Sequence, residues 1–166
     1  MNWHITQSGL PPEHFDSRSL LVPQGISMPE AQLGIKQLAQ EIDRYCTDNG
    51  LQDIAVVLAS GTGATALYLQ QHLEHDVYTV PCIGNTQTLM QLFEQRLPDA
   101  KRYPIILNDE KAETYRFGEP HAQLLDMYQA LLEETGIEFE LLYDAKTWLN
   151  VINWRFDKPI IYLHSG

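Results

Sequence analysis

The chain has 166 residues, enough for one domain with a sizeable core, and its 44% apolar content is ordinary for a globular protein. Lys and Arg number 11 against 22 Asp and Glu, so the net charge of −11 excludes the basic footprint that nucleic acids and anionic membranes require. No basic stretch precedes an apolar one near Met1 and no apolar run approaches membrane-spanning length, so the expected setting is the cytoplasm.

Residues 1–19 carry no period: Pro11 and Pro12 break helices, and Ser8, Gly9, Asp16 and Ser17 form turns. They are expected to be a loop, with Trp3 and Ile5 adding a short edge strand. Residues 20–23 predict an extended entry and 24–27 a turn. Ser27 and Glu30 have capping-box spacing, and Pro29 suits a first helical turn. Ile35, Leu38, Ala39, Ile42, Tyr45 and Cys46 then share one helical face, which Asn49 and Gly50 end.

The continuous apolar run 54–59 predicts a buried parallel strand. Ser60, Gly61, Thr62, Gly63, Ala64 and Thr65 follow, with two glycines, three hydroxyls and no bulky side chain. Residues 64–70 resume in helix formers. A strand, a small hydroxyl-rich loop and a helix are the parts of a phosphate cradle. Loop N–H groups and the first helical turn converge on one spot, glycine admits the anion closely, and the helix dipole favours negative charge. The same stretch is also compatible with a plain tight connection. Its Gly61-x-Gly63-x-x-Ala66 spacing fits a dinucleotide fingerprint, but the next strand, 77–83, runs into Gly84 and Asn85 without the ribose-binding acid.

Gly84, Asn85 and Thr86 predict the cap of a helix whose apolar face is Leu89, Met90, Leu92, Phe93 and Leu97. Residues 103–107 predict a short strand, 108–118 a polar loop, and 119–135 a helix burying Leu124, Leu125, Tyr128, Leu131 and Leu132 up to Gly136. Residues 137–142 predict another strand. Asp144 opens a helix carrying Trp148, Leu149, Val151 and Ile152, and 160–163 form the last strand. Cys46 and Cys82 fit buried thiols rather than a disulfide. His75 is placed to favour a helix C-terminus, and no histidine has metal-ligand spacing.

Alternating strands and helices define an α/β fold: a three-layer, open, mostly parallel sheet with helices on both faces. Residues 20–166 are expected to form one domain behind the 1–19 segment. Ligands of such sheets sit at the carboxyl ends of the strands. Three stretches converge there: 60–65, Tyr143 with Asp144, and His164 with Ser165.

Ala59-Ser60-Gly61-Thr62-Gly63-Ala64-Thr65, Leu142-Tyr143-Asp144-Ala145-Lys146-Thr147 and Tyr162-Leu163-His164-Ser165-Gly166, in that order, resemble the 1-aminocyclopropane-1-carboxylate (ACC) deaminase / D-cysteine desulfhydrase family. Val22-Pro23-Gln24-Gly25-Ile26-Ser27 is similar to its V-P-E-G-G-S segment. The resemblance covers about residues 20–166. It implies a tryptophan synthase β-like fold, pyridoxal 5'-phosphate as cofactor and a small amino acid as substrate. It further implies that residues 60–65 hold the cofactor phosphate, that Tyr143 acts as base or nucleophile, and that Ser165 and Asp144 serve the pyridine nitrogen. Gln24, Ile26 and Ala145 depart from the family pattern. Lys36, Lys101, Lys111, Lys146 and Lys158 all lie outside its Schiff-base lysine motif, which belongs to an N-terminal half. The expectation is therefore a C-terminal portion of a deaminase or desulfhydrase, without independent lyase chemistry, partnered by that N-terminal half or by a second copy. The rival expectations are a non-catalytic anion-binding α/β module and a Rossmann-like nucleotide binder.

Overall fold

A computed structural model of the chain describes residue 25 and residues 28–108 and 115–164. Ser27, Lys111, Ser165, the extended entry at 20–23 and the edge strand at Trp3 and Ile5 lie outside the described residues.

A short 3-10 turn, Pro29–Ala31, leads into α1 (Gln32–Asp48). Pro29 sits at the start of this turn, where its missing N–H removes nothing. Ala39, Ile42 and Cys46 are buried along α1 as the spacing predicts, while Tyr45 turns outward. Then follow β1 (Ala55–Ser60), α2 (Ala64–His72), β2 (Asp76–Pro81), α3 (Thr86–Arg96), β3 (Ile105–Ile106), α4 (Ala122–Thr135), α5 (Asp144–Asn153) and β4 (Ile160–Leu163). The four strands form one sheet in the order β3-β2-β1-β4, all parallel.

Side chains alternate across this sheet, so each face has its own core. Val56, Leu58 and Val77 pack with Ala39, Ile42 and Cys46 of α1 and with Ala66 and Leu69 of α2. Leu67 of α2 meets Leu89 and Phe93 of α3 on the same side. Val57 and Val80 face the other way, against Val151 and Trp148 of α5. The expected three-layer α/β architecture, with helices on both faces, is what the chain adopts. No helix among the described residues is long and apolar enough to cross a membrane.

Several elements differ from expectation, each for a local reason. The strand expected at 137–142 is absent. Glu140 instead folds back: its Oε2 accepts from the N–H groups of Leu142 (2.7 Å) and Tyr143 (2.6 Å), while Asp144 Oδ2 accepts from Glu140 N–H (2.9 Å). These N–H groups, which a strand would give to a neighbour, are spent winding the start of α5. The third strand is shorter than predicted because Pro104 has no N–H to extend it; Leu107 N–H still donates to Thr79 O at 2.8 Å. The second strand ends at Pro81, and Cys82 N–H donates to Ser60 O at 2.8 Å. Leu125 (46% exposed) and Leu132 (39%) are not buried by α4, which turns Leu124 and Leu131 inward instead. His72, not His75, occupies the last turn of α2.

Candidate functional site

At the carboxyl end of β1 the chain turns through Gly61, Thr62 and Gly63 into α2. Gly63 precedes the first residue of α2 in the left-handed region, φ 74° and ψ 5°. A Cβ there would lie 2.5 Å from Phe93 Cε1 and 2.6 Å from Leu89 Cδ1. Glycine is therefore required twice, by backbone angle and by packing. No side chain caps α2. Its first-turn N–H groups have no intrahelical acceptors, and its first residues, Ala64 and Thr65, line a cavity of about 250 Å³ together with residues 59–63, Gly25, Ile83 and Tyr143. Thr65 is exposed at this mouth, and Ala64 is buried beneath it.

Ser60 behaves differently from the rest of the loop. It is buried, and its Oγ lies 2.6 Å from Thr79 Oγ1. Thr79 gives its own hydrogen to Leu58 O at 2.9 Å, so Ser60 is the donor in that pair. Its hydroxyl hydrogen stitches β1 to β2, leaving the hydroxyls of Thr62 and Thr65 for a ligand.

Tyr143 closes the cavity from the opposite side. A Cβ on Gly61 would stand 3.5 Å from Tyr143 Cε1 and Oη, which measures how near the ring comes to the loop. The ring packs edge-on to Phe117 at 5.2 Å. Burial, then the neighbouring Cys82 and Glu140, push the phenol up from its ordinary value, so it keeps its proton at neutral pH.

Asp144, the next residue, points elsewhere. It is 3% exposed and does not line the cavity. Oδ1 accepts from the Tyr162 hydroxyl at 2.5 Å, and Oδ2 accepts from His164 Nδ1 at 2.8 Å as well as from Glu140 N–H. Its carboxylate thus fastens α5 to the end of β4. Burial, then this carboxylate, pushes the Tyr162 phenol strongly upward. Residues 60–65 and Tyr143 come together at one cavity; Asp144 and His164 form a second cluster beside them.

None of the described lysines lines the cavity. Lys158 pairs with Asp53 (2.9 Å) and Asp76 (3.3 Å) at the amino ends of the strands. Lys36 and Lys101 are exposed. Lys146 is buried on α5 and does not line the cavity. No metal-binding group occurs among the described residues.

Cys82 joins β2 to α5. Its Sγ lies 3.5 Å from Tyr143 O and 3.7 Å from Thr147 Oγ1. Burial pushes its thiol from 9.0 up to about 11. The fold therefore favours the protonated thiol. The stability this confers is complete below about pH 9 and lost as pH rises through about 11. Urea midpoints measured across that window are expected to fall by an amount worth roughly 2–3 kcal/mol, and Cys82→Ala is expected to flatten the slope. An unchanged slope in the variant would assign the effect to another group.

Two further residues support the loop from outside it. Arg96 Nη1 donates to Thr62 O at 2.8 Å from the far end of α3. Gly25, at φ 68°, lies so close to Thr62 that a Cβ would come 2.8 Å from Thr62 Cγ2. Gly25 belongs to the V-P-E-G-G-S-like segment, which hinted at its place; Arg96 reads as an ordinary solvent-facing helix end.

No family model matches the chain. A solved structure described as an ACC deaminase homologue superposes with a TM-score of 0.70 at 17% identity, over 87% of this chain and 48% of its own, which establishes a shared fold. The D-cysteine desulfhydrase of Serratia proteamaculans (strain 568) is 25% identical over 167 residues, covering 90% of this chain and 50% of the relative. The chain thus spans about half the length of the curated relative it matches. The resemblance read from the motifs holds at the level of the chain, and the half coverage fits a match to one part of the relative.

Proposed function

We propose that this chain forms the cofactor-phosphate portion of a pyridoxal 5'-phosphate-dependent deaminase or desulfhydrase acting on a small amino acid. The observation that supports it is the cavity between the 60–65 loop and Tyr143. Its loop side is built of small residues, the uncapped start of α2 borders it, and Gly63 lets the turn close over Phe93 and Leu89 while Gly25 packs against Thr62. A phosphate suits that donor set, in which no lysine takes part.

In this reading the N–H groups of residues 61–65 and the hydroxyls of Thr62 and Thr65 bind the phosphate. Tyr143 holds a proton at Oη at the cavity wall, where it would serve the bound cofactor. Asp144 orients His164 and the end of β4, and Ser165, as the family resemblance implies, would serve the pyridine nitrogen. The cofactor, when bound, supplies the electron sink for bond cleavage next to the amino group. The lysine that carries it comes from the part of the relatives that this chain does not span. That part, or a second copy of the chain, is the partner.

Thermal unfolding with separate ligands tests the proposal. At a hundredfold excess over Kd, pyridoxal phosphate is expected to raise Tm by about 5–10 °C. Inorganic phosphate should stabilise through the same loop. Thr65→Val is expected to weaken both by about 0.5–3 kcal/mol. Stabilisation by NAD or AMP but not by pyridoxal phosphate would favour a nucleotide binder and end this reading.

A further inference from the structure

The cradle depends on which way one peptide faces. Thr62 and Gly63 both line the cavity. Their peptide is trans, like every described peptide bond, so its C=O and N–H point in opposite directions. Thr62 O is taken by Arg96 Nη1 at 2.8 Å. With the oxygen held there, Gly63 N–H is turned away from Arg96. We infer that Arg96 is a positioning residue for the anion cradle: its guanidinium latches the Thr62 carbonyl away from the anion and so presents Gly63 N–H to it. The inference rests on the anion-binding reading above and names the part of that site which sets its donor pattern.

Such a latch is needed because this peptide is easily reversed. Gly63 tolerates either sign of φ, so rotation of the Thr62–Gly63 plane meets little backbone resistance. Reversal would aim a carbonyl oxygen at the anion, replacing a donor by a repelling dipole. Two neighbours restrain it. Gly25 approaches the Thr62 side chain on one side, and Arg96 takes the carbonyl. Arg96 suits this task because its stem is half-buried between α3 and the loop, while its guanidinium stays charged at any ordinary pH. Burial lowers its pKa, which marks a guanidinium held partly out of water rather than one lying free on the surface.

A rival role is simple electrostatics, in which Arg96 adds only positive charge near the phosphate. Lysine keeps the charge but loses the rigid fork, whereas methionine loses both. The experiment therefore follows the Gly63 amide by NMR and titrates inorganic phosphate into the full chain and into Arg96→Met and Arg96→Lys. Thermal unfolding without ligand shows that each variant is folded. In Arg96→Met the Gly63 amide resonance should move before any ligand is added. Its shift on phosphate addition should be lost, and phosphate Kd should rise about tenfold or more. Arg96→Lys should recover part of the affinity. If Arg96→Met leaves the Gly63 resonance unmoved and phosphate Kd within twofold, the latch is overturned while the anion reading stands. If Arg96→Lys restores full affinity with the Gly63 amide still displaced, charge alone is the cause and the latch is again overturned. If the unaltered chain binds no phosphate, the anion reading fails and the latch fails with it. Should Arg96→Met not fold, Arg96→Leu supplies the same comparison, again with no side-chain donor.

Discussion

Gly63→Ala is expected to destabilise the chain by roughly 2–5 kcal/mol. Placing an L-residue in the left-handed region contributes about 1–2 kcal/mol. The new methyl would then press on Phe93 and Leu89 at 2.5 and 2.6 Å. Both are fully buried, so neither has free space to retreat into, and such overpacking costs about 1–3 kcal/mol more. Gly61→Ala is the natural contrast. A Cβ at Gly61 meets its nearest neighbours at 3.5 Å, an ordinary contact, so stability should stay within about 1 kcal/mol. Urea unfolding of the two variants checks the pair. Equal losses would mean that the turn is not held as described.

Asp144→Ala is expected to cost roughly 3–5 kcal/mol. The carboxylate accepts from Tyr162, His164 and Glu140 N–H, and its removal leaves those donors without an acceptor. Asp144 is buried but its donors are only partly so and His164 is exposed, so each orphaned donor costs at most about 1–3 kcal/mol, and adjacent losses combine less than additively. Asp144→Asn keeps an acceptor and removes the charge, so it should cost less. It should also bring the Tyr162 phenol down, because the carboxylate is one of the groups holding it up. Chemical unfolding together with ultraviolet titration of the phenols reads both effects. A stability loss below about 1 kcal/mol for Asp144→Ala would mean that the cluster does not fasten α5 to β4.

The parts legible in the sequence are those in which one local pattern governs. The apolar run ending at Ala59, the small loop and the helix formers after it mark β1, the turn and α2 to within a residue or so. The strand at Ile160–Leu163 follows the same logic. Residues 137–142 misled because Ile137, Phe139 and Leu141 alternate with Glu138 and Glu140, a strand-like period of two. Period reports where apolar groups fall, not where carboxylates go. Here Glu140 and Asp144 capture the backbone N–H groups and impose a turn. The cavity-facing loop was legible because its residue types suit its place, whereas Tyr143 was legible only through the family resemblance, since a lone tyrosine at a helix start carries no signal of its own. Arg96 was not, because its bond to Thr62 spans 34 residues and leaves no periodic trace.

The register of the sheet also orders the assembly of the site. Ala55 pairs with Asp76 on one side and with Ile160 on the other. The second pairing closes a stretch of chain five times longer, at roughly 1.4 kcal/mol more in loop entropy. The unit β1–α2–β2 can therefore form from nearby chain, with the 60–65 loop already in its middle. The edge strand, and with it the Asp144–Tyr162–His164 cluster, must be recruited across the whole intervening sequence. In contact-order terms the 60–65 loop belongs to the quick, local part of folding, while Tyr143 and the Asp144–Tyr162–His164 cluster belong to the slow, non-local part.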